Sequence, residues 1–301
     1  MQPAGTELTS IRSPRVKAAR QLGKRALRQR ARAFLAAGPQ AVGEALAAGD
    51  VVSELFITAT AQARYGELAS RAAAQGAEVH PVSGEVMAEL AQTVTPQGVL
   101  AVCRFVDVPL AAVTGPARPA GPGAALRLVV ILANVRDPGN AGTVLRTADA
   151  AGADAVLFAG SSVDPYNSKC VRASAGSLFH LPVVTGTPVP EAVQALRTAG
   201  LQVLAADGGA STTLDDLQLA GTLGRGTGWL FGNEAWGLPA EVRALADNIV
   251  AVPIYGRAES LNLAAAAAVC LYSSARAQGQ RPAPPASPAP ATPVACTLGE
   301  Q

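Results

Sequence analysis

Between Leu126 and Ala133 every residue except Arg127 is apolar. A strand with one face in water alternates polar and apolar side chains, and this one does not. Such a run fits a central strand of a parallel sheet, covered on both faces. Parallel neighbours need crossover connections, usually helical, so this segment commits its surroundings to an α/β architecture. The stretch 126–278 supplies the remaining parts. Gly139–Ala151 and Pro190–Ala199 read as helices. Ala155–Phe158, Leu201–Ala205, Gly228–Phe231 and Asn248–Val252 read as strands, and Ser260–Ala277 as a long closing helix.

Upstream, residues 33–107 carry a second, smaller α/β pattern. Helices are expected at Ala41–Ala48, Ala61–Ala74 and Gly84–Ala91, and strands at Ser53–Ile57, Glu78–Pro81 and Val99–Val106. With 301 residues and 49% hydrophobic content, two domains can each bury a core. Residues 108–125, with Pro109, Pro116, Pro119 and Pro122, read as a linker, and 279–301, rich in Pro, Ala and Ser, as a disordered tail.

The net charge of +2 conceals an uneven distribution. The first 43 residues hold nine basic residues (Arg12, Arg15, Lys17, Arg20, Lys24, Arg25, Arg28, Arg30 and Arg32) against one acid, Glu7. From 13 to 32 the basic residues recur at helical steps, so 1–32 is expected to carry a basic helix. A solvated face is the ordinary fate of such a run. The absence of any acid between Glu7 and Glu44 favours contact with nucleic acid.

Several function classes are excluded or disfavoured. The longest apolar run, Leu263–Tyr272, falls short of the roughly 20 residues of a membrane span. No apolar segment follows the basic N-terminus as in a secretory signal. Four scattered cysteines and two histidines support neither a disulfide framework nor a metal site, and a reducing cytoplasm is expected. Cys170 and Cys270 read as small buried hydrophobes. His180, within Phe179-His180-Leu181-Pro182, reads as a half-buried structural histidine. No phosphate loop of the GxxxxGK[ST] type and no GxGxxG occurs, and a Ser-His-Asp arrangement is unsupported.

Three loops follow predicted buried strands, where open parallel sheets bind ligands. The first is Asn134–Gly142, running into a helix with Arg146; the second is Phe231–Pro239; the third is Val252–Asn262. Each alone has a structural explanation. Asp137 and Asn140 are good helix-start residues, Glu234 suits a turn or a helix N-terminus, and Ser260 suits an N-cap. Their joint occurrence in one domain is harder to explain structurally.

Together the loops resemble the SpoU (TrmH-type) branch of the SPOUT RNA 2′-O-ribose methyltransferases. That pattern reads N-x-x-D-P-x-N-x-G-x-x-x-R-T-A, G-N-E-x-x-G-L and I-P-x-x-G-x-x-x-S-L-N. It stands here as Asn134–Ala148, Gly232–Leu238 and Val252–Asn262, with Val252 in place of Ile. The first 107 residues are similar to the family's accessory substrate-binding domain, through Phe34-Leu35, Gly38–Val42 and Glu44-Ala45.

The resemblance implies a small α/β RNA-binding N-terminal domain and a C-terminal α/β trefoil-knot methyltransferase domain. It implies a homodimer that takes a methyl group from S-adenosylmethionine, without metal or membrane. RNA is the implied partner, with 23S ribosomal RNA favoured. An antibiotic-resistance ribosomal RNA methyltransferase, a transfer RNA methyltransferase and an inactive RNA-binding assembly factor are the alternatives. Gly232, Val252 and Leu261 stand at cofactor positions. Arg146 stands at the essential arginine, a base or a phosphate ligand. Arginine titrates above about 12, so the phosphate role is physically safer. Asn140, Ser260 and Asn262 are expected to orient Arg146 and the ribose, and Glu234 to hold its loop by pairing with an arginine. Arg172, Lys24, Arg25 and Arg28 are expected to contact RNA.

Overall fold

The computed structural model describes residues 6–93, 95–115 and 125–279. Its N-terminal half comprises α1 (Pro14–Gln21), α2 (Arg25–Ala31), β1 (Ala33–Ala37), α3 (Pro39–Ala47), β2 (Val52–Ile57), α4 (Ala59–Ala74), β3 (Glu78–Pro81), α5 (Gly84–Ala91), β4 (Val99–Arg104) and α6 (Leu110–Thr114). The four strands form a mixed sheet in the order β1-β4-β2-β3, with only β2 and β3 parallel.

The second half comprises β5 (Leu128–Ala133), α7 (Pro138–Ala150), β6 (Ala155–Ala159), α8 (Ser168–Ser174), β7 (Val183–Thr185), α9 (Val189–Thr198), β8 (Gln202–Ala206), β9 (Thr212–Thr213), α10 (Leu214–Leu219), β10 (Thr227–Phe231), α11 (Ala240–Arg243), β11 (Asn248–Ala251) and α12 (Leu263–Ala277). Its seven-stranded sheet, β7-β6-β5-β10-β8-β11-β9, is parallel at every pairing. β5 lies inside it, between β10 and β6, and all six of its residues are buried. Leu128, Val130 and Leu132 join the core on one face, while Val129, Ile131 and Ala133 join that on the other. The uninterrupted apolar run reflects burial on both faces.

Several expectations need correction. The basic segment is two helices, not one. Gly23 interrupts it and Lys24 adopts an extended conformation before α2, in keeping with the low helix propensity of glycine. The span read as a linker begins with α6, whose Val113 is buried in the core on one face of the large sheet. Residues 116–124, and the expected disordered tail apart from Gly279, lie outside the described residues. The closing helix starts at Leu263, with Asn262 rather than Ser260 as its N-cap. Among the described residues, no helix is long and apolar enough to cross a membrane.

The two halves are joined by buried polar contacts. Arg28 of α2 donates to Asp164 from Nε (2.9 Å) and Nη2 (2.7 Å), and both side chains are about 96% buried or more. Its Nη1 also donates to the Leu22 and Gly23 carbonyls at the end of α1. The Tyr166 hydroxyl accepts from the Val106 and Asp107 amides and donates to Asp107 Oδ1 (2.8 Å), with its ring stacked on Phe105. The Val108 amide then donates to the Val183 carbonyl on β7, so the chain leaving the first half runs onto the edge of the second sheet. One hydrophobic cluster, including Phe34, Val130, Phe158 and Tyr166, spans both halves.

Candidate active site

The first loop is shaped at its entrance by Asn134, whose φ of 58° is left-handed. Asparagine tolerates that region through local hydrogen bonding. Its Oδ1 accepts from the Ser161 amide (2.8 Å), and its carbonyl accepts from Asn233 Nδ2 (3.0 Å) in the second loop. Asp137 caps α7: Oδ1 accepts from the Asn140 amide (2.7 Å) and Oδ2 from Lys169 Nζ (2.8 Å). The Lys169 bond, followed by the Asn140 amide, holds this carboxyl below the usual aspartate range. A Cβ at Gly142 would strike the Cys170 carbonyl and, at 2.7 Å, Ala173, so glycine here sets the close packing of α7 on α8.

Glu234 is the centre of the arrangement. Its carboxylate accepts from the Arg136 amide (3.2 Å), the Asp137 amide (3.1 Å) and Asn140 Nδ2 (3.3 Å). The expectation of a Glu234–arginine ion pair is therefore corrected. The acid faces backbone N–H groups at the start of α7, which leave donors unsatisfied and carry positive partial charge. Asn140 Oδ1 in turn accepts from Asn262 Nδ2 (3.1 Å), while Asn262 Oδ1 accepts from the Ala264 amide (2.9 Å) as the cap of α12. The chain Glu234–Asn140–Asn262 ties the three loops together.

Beside this network lies a cleft of about 450 Å³, lined by Asp207, Gly232, Glu234, Trp236, Val252, Ile254, Ser260, Leu261 and their neighbours. All three expected cofactor positions line this one cleft. Gly232 sits against the backbone of its own loop, where a Cβ would come within 2.5 Å of the Gly237 carbonyl group. Asn233 and Gly237 exchange both backbone hydrogen bonds (3.0 and 2.9 Å), closing a tight turn. The expected need for glycine is met, although the close approach is to protein backbone.

Comparison with known proteins agrees with this geometry. The SpoU rRNA Methylase family matches residues 127–272, and an MRM3-like substrate binding domain matches 13–101. A 23S rRNA (guanosine(2553)-2′-O)-methyltransferase of Bacillus subtilis is 30% identical over 88% of this chain and 98% of its own length. An uncharacterised tRNA/rRNA methyltransferase of Synechocystis is 36% identical over 90% of this chain and 94% of its own. The chain belongs to the SpoU family. The crystal structure of an AdoMet-bound rRNA methyltransferase from Sinorhizobium meliloti superposes with a TM-score of 0.75 at 31% identity, covering 90% of this chain and 97% of that one.

Against the SpoU motifs, the expected site residues divide into two groups. Asn140, Glu234 and Asn262 converge, and Ser260 lines the cleft with Gly232, Val252 and Leu261. Arg146 stands apart. It is exposed on α7 and, among the described residues, its side chain makes no ion pair or hydrogen bond. Six residues along a helix place Arg146 and Asn140 on different faces, so Asn140 is held by Glu234 and Asn262 instead of orienting the arginine. Arg172, Lys24 and Arg25 are likewise exposed and without a carboxylate partner among the described residues.

Arg28 is the main correction. Its guanidinium is buried and paired with Asp164, so it fixes the fold and presents no charge to RNA. Sequence reasoning missed this pair because its partners are 136 residues apart. It also missed Lys169 as the partner of Asp137. Asn134 and Asn233 lay in plain view within the motifs, and neither received a role. Cys170 and Cys270 are buried, as expected of small hydrophobes, and burial pushes both thiols up to about 12, which favours the neutral thiol. His180 is more exposed than expected, and its nitrogens lie 2.7 Å from Asp149 and 3.2 Å from Glu44.

Proposed function

We propose that this chain is an S-adenosylmethionine-dependent RNA methyltransferase acting on a ribose 2′-hydroxyl, with 23S ribosomal RNA as substrate. The supporting observation is the Glu234–Asn140–Asn262 network, which holds three loops around one cleft. The size of that cleft is in the range of small-ligand sites. Its apolar wall, from Val252, Ile254 and Leu261, suits an adenine, and its Glu259 carboxylate, without an ion-pair partner among the described residues, suits a cationic donor, while Asp207 is paired with Arg243. When bound, S-adenosylmethionine supplies an electrophilic methyl group. Gly232, Val252 and Leu261 would hold it.

The protein's share of catalysis is positioning and electrostatics. Arg146, with no acid to neutralise it among the described residues, binds an RNA phosphate next to the target ribose. Asn140 and Asn262 fix the loops against which that ribose lies, and Ser260 lines the cleft for contact with it. Arg172, Lys24 and Arg25 add phosphate contacts. The working form in this reading is a cytoplasmic homodimer with a knotted C-terminal half. Thr143, Arg146 and Ala150 form an exposed stripe on α7 beside Val269 (41% exposed) and Tyr272 (49%) on α12. A second copy covering that face would carry Arg146 toward its own partner's cleft.

The test is methyl transfer from labelled S-adenosylmethionine to total RNA of a deletion strain, followed by mapping of the ribose methylation. A single new 2′-O-methyl in 23S RNA is expected. A site in transfer RNA would replace the substrate, and no incorporation by folded, cofactor-binding protein would leave an RNA-binding assembly factor.

A further inference from the structure

The side chains of two residues of the site loops have no role in the network above. Arg136 follows β5 in the first loop, and Trp236 occupies the turn between Asn233 and Gly237 in the second. The Arg136 guanidinium lies over the Trp236 ring, 4.9 Å from its centroid. Arg136 has no carboxylate partner among the described residues, and its backbone amide is fixed by Glu234. Trp236 lines the cleft and remains 54% exposed even with the guanidinium across it, and its indole N–H makes no hydrogen bond within the described chain. By contrast Trp229, the other tryptophan, is fully buried and donates to Ser274.

From this geometry we propose that Arg136 and Trp236 form a stacking subsite for a nucleobase of the RNA substrate on the wall of the methyl-donor cleft. The inference rests on the RNA methyltransferase reading and adds to it the residues that seat the base.

Three features carry it. An aromatic face accepts any base by stacking, and proteins that hold unpaired RNA use such faces together with arginine planes. The platform is rigid before RNA arrives, because the Asn233–Gly237 backbone pair closes the turn and the Asn233 side chain accepts from the Ala235 amide (2.9 Å). Rigidity limits the ordering cost of binding. The third feature is charge. A nucleobase could come from the adenine of the methyl donor or from the RNA, but the donor is itself a net cation, whereas RNA brings phosphates that the unpaired Arg136 attracts. The position also fits, since both residues are anchored through Glu234 and its loop to the network that includes Asn140.

Tryptophan emission tests this directly, because Trp236 is the only exposed indole of two in the sequence. Titration with a single-stranded RNA oligonucleotide should quench the exposed component, and S-adenosylmethionine alone should leave it nearly unchanged. Trp236→Ala should raise KM for RNA about tenfold or more, with cofactor affinity within about twofold of wild type. Trp236→Phe, which keeps an aromatic face, should recover most of that loss. Arg136→Ala should weaken RNA binding and flatten its salt dependence. An unchanged RNA KM in folded Trp236→Ala would overturn the proposal. So would a loss confined to cofactor affinity, which would assign the ring to adenine. Quenching and binding are read without turnover, so failure of the methyl-transfer assay would count against the enzymatic reading and leave this subsite to be judged separately.

Discussion

The basic N-terminal segment and the three-loop site differ in how many of their arginines are paired with acids. Of the nine basic residues in the first 43, four are paired with acids of this same chain: Arg15 with Glu78, Arg20 with Glu89, Arg28 with Asp164 and Arg32 with Asp107. Around the site loops, Arg136, Arg146, Arg172 and Arg257 have no carboxylate partner among the described residues, although the rest of the chain is acidic overall. A dense run of positive charge is thus partly structural, and a sparse set in an acidic half stays available for an anionic substrate. In the proposed function, the cations that lack an acid within the fold are the ones that would meet RNA, more than those the sequence clusters.

The contrast can be broken by substitution. Arg28→Ala has the largest expected effect, about 3–5 kcal/mol of stability, because Asp164 would be left buried and uncompensated. Chemical denaturation measures it, and a loss below about 1 kcal/mol would mean that Asp164 finds water or another donor. Arg146→Ala should lower turnover by at least about a hundredfold with stability and cofactor binding intact. Retained turnover would remove it from the site.

Smaller effects sharpen the same point. Replacing Lys24 and Arg25 together by Ala should reduce the salt slope of RNA binding by about two. Arg20→Ala should leave that slope alone, because Glu89 already neutralises Arg20. Equal effects from free and paired cations would erase the distinction. The smallest effect is at His180. Partial burial pulls its imidazole down, but the hydrogen bonds to Asp149 and Glu44 outweigh this and hold its pKa above the ordinary value of about 6.5. A raised folded pKa means that the contribution is full below the unfolded value and is lost as pH rises through the folded one. The stability difference between wild type and His180→Ala should be below about 1 kcal/mol near neutrality and should vanish in alkali.

Much of the second half was legible because its signals are local. β5 and β10 are buried on every residue and read as apolar runs, and the loops follow strand ends directly. The elements that escaped lack a local signature. β1 is five residues long and hidden behind the basic segment, and α8 lies in a stretch of mixed polarity. The joints escaped for another reason. Arg28–Asp164 and Tyr166–Asp107 depend on which distant surfaces meet, and neither spacing nor periodicity encodes that. At the site, the motifs named the participants, yet only three-dimensional structure showed that Glu234 faces amides and that Arg146 is held by no side chain of its own loops.

The buried joint at Arg28 and Asp164 has a geometric consequence. Moving one half of the chain against the other would require opening a desolvated ion pair and parting a continuous apolar core. The distance from the cations of α2 to the mouth of the cleft is therefore a fixed span, which under the proposed function would serve as a caliper. Under the proposed function, an RNA would be accepted when its folded shape sets a backbone stretch and a reachable ribose at the two jaws together. Selection of the nucleotide would then depend on the shape of the surrounding RNA as well as on the base itself.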